Sequence, residues 1–128
     1  MDGNAKEQVG RDKVREIFGE AGERVLERVA LVSPDIVRYV HEHAFGEIYS
    51  RPGLDPRSRS IATVAALTAM SHAPIELKPH IHGALNVGVT REEIIEVIIQ
   101  MSLYAGIPAA MNAMLIAGEV FSERDSQT

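Results

Sequence analysis

The stretch that decides the fold is IELKPHIHGALNVGVTREE, residues 75–93. Gly88 stands where a glycine commonly ends a helix, and Thr90 with Glu93 has the spacing of a capping box at the start of the next one. The stretch therefore predicts two helices joined by a tight turn. It also contains two histidines, His80 and His82, one residue apart.

The same signals recur along the rest of the chain. Apolar residues return at helical spacing from Val9, with glycines at 19 and 22 that favour a break. Ser33–Pro34 and Asp55–Pro56 each place an N-cap residue before a proline at the first helical position. The run IATVAALTAM, residues 61–70, is apolar almost all round, so we expect it to be buried on most sides. A last helix is predicted from Pro108 to about Phe121.

These patterns predict an all-α protein, a compact bundle of about six helices with no strand. A length of 128 residues indicates one domain. We expect residues 1–8 to be a disordered N-terminus, 9–122 a single helical domain and 123–128 a loose tail. The last four helices carry much apolar surface for so short a chain, which predicts self-association.

Composition excludes several classes of function. A formal net charge of −5 disfavours nucleic acid as a partner, because phosphate binding needs clustered Lys and Arg. The chain has no cysteine, so disulfide and thiolate chemistry are excluded. No apolar run reaches the roughly 20 residues of a membrane span, and no dinucleotide or phosphate-loop motif is present. We expect a soluble, cytoplasmic protein with no membrane partner and no cofactor.

His80 can be placed in two ways. In a continuous helix Glu76, four residues earlier, shares its face, and a neighbouring carboxylate raises the pKa of an imidazole. If a helix instead begins at Pro79, His80 lies in its first turn, where the helix dipole favours the neutral ring. The sequence leaves both geometries open, together with a role for His80 as a surface residue.

The other histidines give a weaker signal. His82 lies on one predicted polar face with Lys78 and Asn86, four residues away on each side, which indicates an outward position. His41, His43 and His72 could join a metal site, but the H-x-H doublets point to different sides of a helix. We therefore expect no metal site.

Charged residues cluster in the turn GEIYSRPGLDPRSRS, residues 46–60. Arg51, Arg57 and Arg59 could bind a carboxylate in a bidentate manner near Glu47, or the segment could be a solvated turn. Tyr104 could offer its hydroxyl at a helix end, or lie in the core with the hydroxyl at the rim.

Two segments resemble the carboxymuconolactone decarboxylase family: GEIYSRPGLDPRSRSIATVAAL, residues 46–67, and ELKPHIHGALNVGVTREEIIEVIIQMSLYAGIPAAMNA, residues 76–113. The resemblance implies an alkyl hydroperoxidase D-like helical fold assembled into trimers or hexamers. Relatives with peroxidase activity carry a C-x-x-C pair, and Glu76 stands where the second cysteine would be. The resemblance thus implies a cysteine-less enzyme that is not a thiol peroxidase.

The activity that the resemblance implies is cofactor-free decarboxylation of 4-carboxymuconolactone, a small anionic lactone, to 3-oxoadipate enol-lactone. His80 and Glu47 match family positions expected to be catalytic. Arg51, Arg59 and Tyr104 match positions expected to bind substrate, and Ile107 is expected in an apolar wall beside residues 61–67. Tyr49 departs from the family pattern, which has tryptophan there. Alternatives are another lactone or β-keto acid lyase or isomerase, a non-enzymatic oligomeric binding protein, and metal binding.

Overall fold

The structure, a computed structural model, describes residues 3–70 and 74–127. Every regular element in these ranges is helical, which confirms the predicted all-α class. The elements are α1 (Gly3–Ala30), α2 (Pro34–Tyr39) leading directly into a π-helical segment (Val40–Ile48), α3 (Pro56–Met70), α4 (Pro74–Asn86), α5 (Arg91–Ala105) and α6 (Ile107–Ser126). Within the described ranges no helix is long and apolar enough to cross a membrane.

The chain divides into two compact units, Met1–Pro56 and Arg57–Thr128. The first unit contains α1, α2 and the π-helical segment. The second contains α3, apart from its first residue, and α4 to α6. That residues 9–122 form a single domain stays a prediction.

Helical structure reaches closer to both chain ends than the sequence predicts. α1 begins at Gly3 and so includes most of residues 1–8, and α6 continues to Ser126 instead of ending near Phe121. An ion pair holds the helix near each chain end: Lys6 Nζ lies 2.7 Å from Glu47 Oε1, and Arg91 Nη2 lies 2.7 Å from Asp125 Oδ1. Such partners are distant in sequence, so local composition does not reveal them.

α1 is interrupted at Gly19, which has φ 67° and ψ −159°. This confirms the break that glycines at 19 and 22 indicate, because a positive φ is accessible to glycine at little cost. Val14 and Ile17, before the break, are buried, whereas none of residues 20–30 is buried. The second half of α1 therefore contributes no core residue to the first unit.

The backbones of α1 and the π-helical segment approach closely at two glycines. A Cβ on Gly10 would lie 1.6 Å from the carbonyl oxygen of His41, and one on Gly46 would lie 2.4 Å from that of Lys6. Real Cβ atoms do not come so near to backbone, so only glycine fits at either position. This contact fixes how the first unit packs.

α2 and the π-helical segment share one buried face. Ser33 Oγ caps α2 by accepting a hydrogen bond from the Ile36 amide, as predicted. Ile36, Val40 and Ala44 also share one face by their spacing, but the buried side chains are those of Val37, His41 and Phe45.

The second unit is built around a core of aliphatic side chains from all four helices. Its fully buried members include Val64, Ile81, Ile94, Ile98 and Val120. The prediction that α3 is buried on most sides is wrong. α3 buries one stripe, Ser60, Val64 and Thr68, and its other residues are half-buried or exposed.

The turn between α4 and α5 has the geometry that its sequence predicts. Gly88 has φ 99°, and its amide donates to the Leu85 carbonyl at 3.2 Å while the Val89 amide donates to the Ala84 carbonyl at 3.0 Å. These bonds satisfy the last carbonyls of α4. The capping box follows: Thr90 Oγ1 accepts from the Glu93 amide, and Glu93 Oε1 accepts from the Thr90 amide. α4, which carries His80, is thus firmly terminated.

Candidate functional site

His80 lies in the body of α4, because the helix runs without a break from Pro74 through Pro79 to Asn86. This excludes the geometry in which a helix begins at Pro79 and holds His80 in its first turn. Glu76 and His80 are one turn apart on the same helix. The side chain of Glu76 is exposed, whereas that of His80 is half-buried.

Burial lowers the pKa of His80 from 6.5 to about 4. A ring shielded from water disfavours the charged imidazolium. The increase in pKa expected from the Glu76 carboxylate is therefore not observed. At neutral pH His80 is a neutral imidazole, which can donate one N–H hydrogen bond and accept another.

The three arginines of residues 46–60 have different surroundings. Arg57 Nη2 forms an ion pair with Glu93, and Arg57 Nε donates to the Gly88 carbonyl at 3.3 Å. Arg57 thus ties the start of α3 to the turn before α5, which leaves it poorly suited to bind a substrate. Arg59, in the first turns of α3, is half-buried, and Arg51, in the first unit, is exposed.

Glu47 lies near the end of the π-helical segment and is a fixed negative charge. Its Oε1 accepts a hydrogen bond from Lys6 Nζ at 2.7 Å, and His43 Nδ1 lies 3.8 Å from its Oε2. The hydrogen bond from Lys6 is the main reason why the pKa of Glu47 is lowered. An ionised carboxylate suits orientation of a partner better than proton delivery. Lys6 lies in the segment that the sequence predicts to be disordered.

Tyr104 and Ile107 flank Gly106, the residue with φ 95° between α5 and α6. Their side chains are exposed to 78% and 62%, so neither lies in an enclosed hollow of the second unit. Both belong to a larger apolar surface on α5 and α6, here called the α5–α6 strip, whose exposed members are Ile99, Leu103, Tyr104, Ile107, Met111 and Leu115. The strip is the most extensive exposed apolar feature of these two helices.

His82 is more buried than the spacing of its neighbours predicts. The sequence predicts an outward position, but the side chain is only 26% exposed. Its Nε2 lies 2.9 Å from Glu123 Oε2, and its Nδ1 lies 3.3 Å from Arg124 Nη1. The polar spacing of Lys78, His82 and Asn86 was visible in the sequence, but the partners on α6 were not.

His41 is more deeply buried than His80, with 5% of its surface exposed. Its Nδ1 is buried and makes no hydrogen bond within the described part of the chain. Among the described residues no group of three His, Asp or Glu side chains could hold a metal ion. His72, one of the metal candidates, lies outside the described residues.

The sequence profile of the carboxymuconolactone decarboxylase family matches residues 34–119. A protein named 4-carboxymuconolactone decarboxylase, from Acinetobacter baylyi, is 37% identical over 124 residues, which make up 96% of this chain and 92% of that protein. The chain belongs to the carboxymuconolactone decarboxylase family.

Family relatives include a protein named nitrosuccinic acid decarboxylase, from Metarhizium robertsii. It is 34% identical over 84 residues, which make up 66% of this chain and 58% of that protein. The family segment contains every candidate site residue, namely Glu47, Arg51, Arg59, His80, Tyr104 and Ile107. Lys6, Glu123 and Arg124 lie outside it. The lysine that pairs with Glu47 and the α6 partners of His82 thus lie outside the segment that matches the family profile.

Proposed function

We propose that this family member is a cofactor-independent decarboxylase that converts 4-carboxymuconolactone to 3-oxoadipate enol-lactone, a reaction of the protocatechuate branch of β-ketoadipate catabolism. The observation that carries the proposal is the 37% identity, over 96% of this chain, with the relative of that name. A second relative is also named a decarboxylase, which supports loss of CO₂ as the shared reaction.

The chemistry needs no cofactor, because the substrate itself accepts the electrons. The carboxylate that leaves is attached to a saturated ring carbon next to an alkene, and that alkene is conjugated with the lactone carbonyl. When the C–C bond breaks, its electron pair moves through the alkene into the carbonyl, and CO₂ departs. A dienolate remains, with its negative charge on the former carbonyl oxygen of the lactone. Protonation of the carbon beside that carbonyl gives the product. The protein must bind an anion, stabilise the oxyanion and allow protonation.

The neutral state of His80 favours donation of a hydrogen bond to the developing oxyanion over delivery of a proton to carbon. An imidazole with a pKa of about 4 is almost entirely unprotonated at neutral pH, so delivery of a proton from imidazolium is disfavoured. Its N–H can still donate to the lactone oxygen as charge develops there, from a ring already shielded from water. We therefore assign His80 to stabilisation of the dienolate, and the proton on carbon to another acid or to water.

We assign Arg59, half-buried in the first turns of α3, to hold a substrate carboxylate, because it matches a family position expected to bind substrate. The guanidinium group is charged at all relevant pH values and can bind a carboxylate through two parallel hydrogen bonds. The acidic background of the chain, with net charge −5, makes such a local cation necessary. The roles predicted for Glu47, Arg51 and Tyr104, and for an apolar wall at Ile107, stay predictions.

We further propose that the chain assembles with copies of itself through the α5–α6 strip. Ile99 and Leu103 on α5, and Ile107, Met111 and Leu115 on α6, recur at four-residue spacing and are all exposed. An extended set of exposed apolar side chains of this kind is unusual on a monomer. A trimer or hexamer is the expected state, and light scattering of wild type and of Leu103→Glu measures it. A monomeric wild type would contradict the proposal.

A second candidate substrate is a small nitro acid, favoured by the relative named nitrosuccinic acid decarboxylase. A nitro group, like a conjugated carbonyl, can accept the electron pair of the breaking C–C bond. The same hydrogen-bond donor from His80 would then stabilise a nitronate oxygen. This candidate changes the substrate and keeps the reaction class.

The direct test is an assay with freshly generated 4-carboxymuconolactone that follows loss of substrate and release of CO₂. Nitrosuccinate and a β-keto acid serve as competing substrates in parallel. We expect the lactone to give the highest kcat/KM. Faster turnover of nitrosuccinate would replace the first candidate with the second, and no turnover of any substrate would favour a non-enzymatic binding protein.

A further inference from the structure

α4 has a weak point immediately before its candidate catalytic residue. Pro79 lies inside the helix and has no amide hydrogen, so it cannot donate to the carbonyl of Ile75. A proline in a helix interior also crowds the preceding turn, and kinks usually occur at such positions. His80 follows directly. The backbone that carries His80 is therefore held by one helix hydrogen bond fewer than elsewhere in α4.

Side chains on both sides of Pro79 connect α4 to α6. Lys78 precedes the proline, and His82 and Asn86 follow at steps of four residues, so that the three lie along one face of α4. Together with Glu123 and Arg124 on α6 they form what we call the α4–α6 clamp. Lys78 Nζ pairs with Glu123 Oε1, His82 Nε2 lies 2.9 Å from Glu123 Oε2, and Arg124 Nη2 donates to Asn86 Oδ1 at 3.1 Å.

The hydrogen bonds of the clamp select one tautomer of His82. A guanidinium group has only donors, so Arg124 Nη1, 3.3 Å away, is satisfied when Nδ1 acts as acceptor. In that tautomer the ring proton is on Nε2, which donates to Glu123 Oε2. Glu123 remains ionised, because hydrogen bonds from Lys78 and His82 lower its pKa. Glu119 also faces this group, 3.7 Å from Lys78 Nζ.

His80 and the clamp lie on different faces of α4. Successive residues of a helix are rotated by about 100° around its axis. His80 and His82, two positions apart, therefore point in nearly opposite directions from α4. Between them the core face carries Leu77, Ile81 and Ala84, all buried. Rotation of α4 about its axis would therefore change the burial of His80, and the clamp opposes that rotation.

We propose that His82 is a positioning residue: through the α4–α6 clamp it splints α4 across Pro79 and holds the ring of His80 in its half-buried place. The inference rests on the proposed function only in that it takes His80 as catalytic. The geometric part, that the clamp sets the environment of His80, stands independently of any substrate.

Two replacements of His82 separate its hydrogen bonds from its volume. His82→Leu keeps most of the volume and removes both bonds, whereas His82→Gln retains an amide donor for Glu123. The matched control is Arg91→Met, which breaks the exposed pair between α5 and Asp125 of α6 and leaves α4 untouched. Circular dichroism and thermal unfolding establish that each variant is folded. If His82→Leu fails to fold, Arg124→Met removes the bonds to His82 Nδ1 and Asn86 alone.

The first readout is the titration of His80, followed by NMR of histidine-labelled protein. We expect its midpoint, about 4 in the wild type, to increase in His82→Leu by about one pH unit or more as the ring gains water. Gln should restore most of the wild-type value, and Arg91→Met should leave it unchanged. An unchanged midpoint in folded His82→Leu or Arg124→Met would overturn the proposal.

The second readout is turnover of 4-carboxymuconolactone. Misplacement of a catalytic group reduces rate more than binding, so kcat should fall about tenfold to a hundredfold in His82→Leu while KM changes little. Pro79→Ala restores a helix hydrogen bond and should reduce this loss, because α4 then needs the splint less. Equal losses in both backgrounds would contradict the splint. If the wild type is inactive, the proposed function fails, and the NMR midpoint still decides the role of the clamp.

Discussion

Each of the two units buries a histidine, but the two rings are held differently. His41, in the first unit, is 5% exposed and lies where the backbones of α1 and the π-helical segment approach at Gly10. His80, in the second unit, is half-buried in a helix that packs through side chains. Burial lowers the pKa of both. A low pKa therefore does not by itself identify a catalytic histidine, because burial alone produces it at both positions.

The packing of the units differs in the same way. In the first unit two glycines allow backbone to meet backbone, and there is no room for even a methyl group. In the second unit Ile, Val, Leu and Ala side chains interdigitate. The first arrangement should be intolerant of small additions, and the second should be sensitive to deletions.

The largest expected effect is that of Gly10→Ala. The new Cβ would lie 1.6 Å from the His41 carbonyl oxygen, which neither backbone can avoid without separating. We expect α1 and the π-helical segment to lose their protection from hydrogen exchange. The control is Gly118→Ala in α6, where a Cβ would meet nothing within 4 Å. Retention of wild-type protection by Gly10→Ala would contradict the close approach.

Ile81→Ala tests the second unit by deletion. Ile81 is fully buried in the aliphatic core, so its truncation should lower the free energy of unfolding by about 2–5 kcal/mol. Ile75→Ala, on the same helix but 85% exposed, is the control. Chemical denaturation of the three proteins measures the difference, and equal effects of the two variants would show that α4 is packed on another face.

The pH dependence of stability should reflect the buried histidines. A folded-state pKa below 6.5 means that, as pH falls below 6.5, the histidine binds a proton in the unfolded chain but stays unprotonated in the folded chain. The free energy of unfolding should therefore decrease with falling pH, for His80 down to about pH 4. His41→Gln should flatten part of this decrease, whereas His43→Gln, at a side chain that is 69% exposed, serves as control. Denaturation at several pH values measures the slopes; a slope that His41→Gln leaves unchanged would speak against the buried ring.

The smallest expected effects are those of the helix caps. Thr90 and Glu93 exchange two hydrogen bonds, at 3.1 and 2.9 Å, whereas Ser33 makes one to Ile36 at 3.4 Å. Thr90→Ala should cost about 1 kcal/mol of stability, and Ser33→Ala less. The same denaturation measurement ranks them, and the reverse order would show that the capping box adds nothing.

The sequence predicted what local chemistry determines. The break in α1, the start of α3 at Pro56 and the turn at Gly88 depend on residues that are neighbours in the chain, and all three are confirmed. The continuity of α4 through Pro79 could not be decided, because local penalty and tertiary packing oppose each other there.

The sequence failed where the outcome depends on distant partners. Lys6 contacts Glu47, and Glu123 contacts His82, across long stretches of the chain. Which stripe of α3 is buried likewise depends on the helices that pack against it. The state of His80 belongs to the same class, because its surroundings come from the folded core and not from Glu76. Polar residues at helical spacing, such as Lys78, His82 and Asn86, were the only advance signal.

The measurement that tests the account most directly is kcat for 4-carboxymuconolactone with wild type and His80→Ala, at a pH near 7 and after both are shown to be folded. Loss of a preorganised donor to a developing oxyanion should reduce kcat by about 10²–10³-fold. A variant that retains turnover within a factor of about three would contradict the assignment of His80.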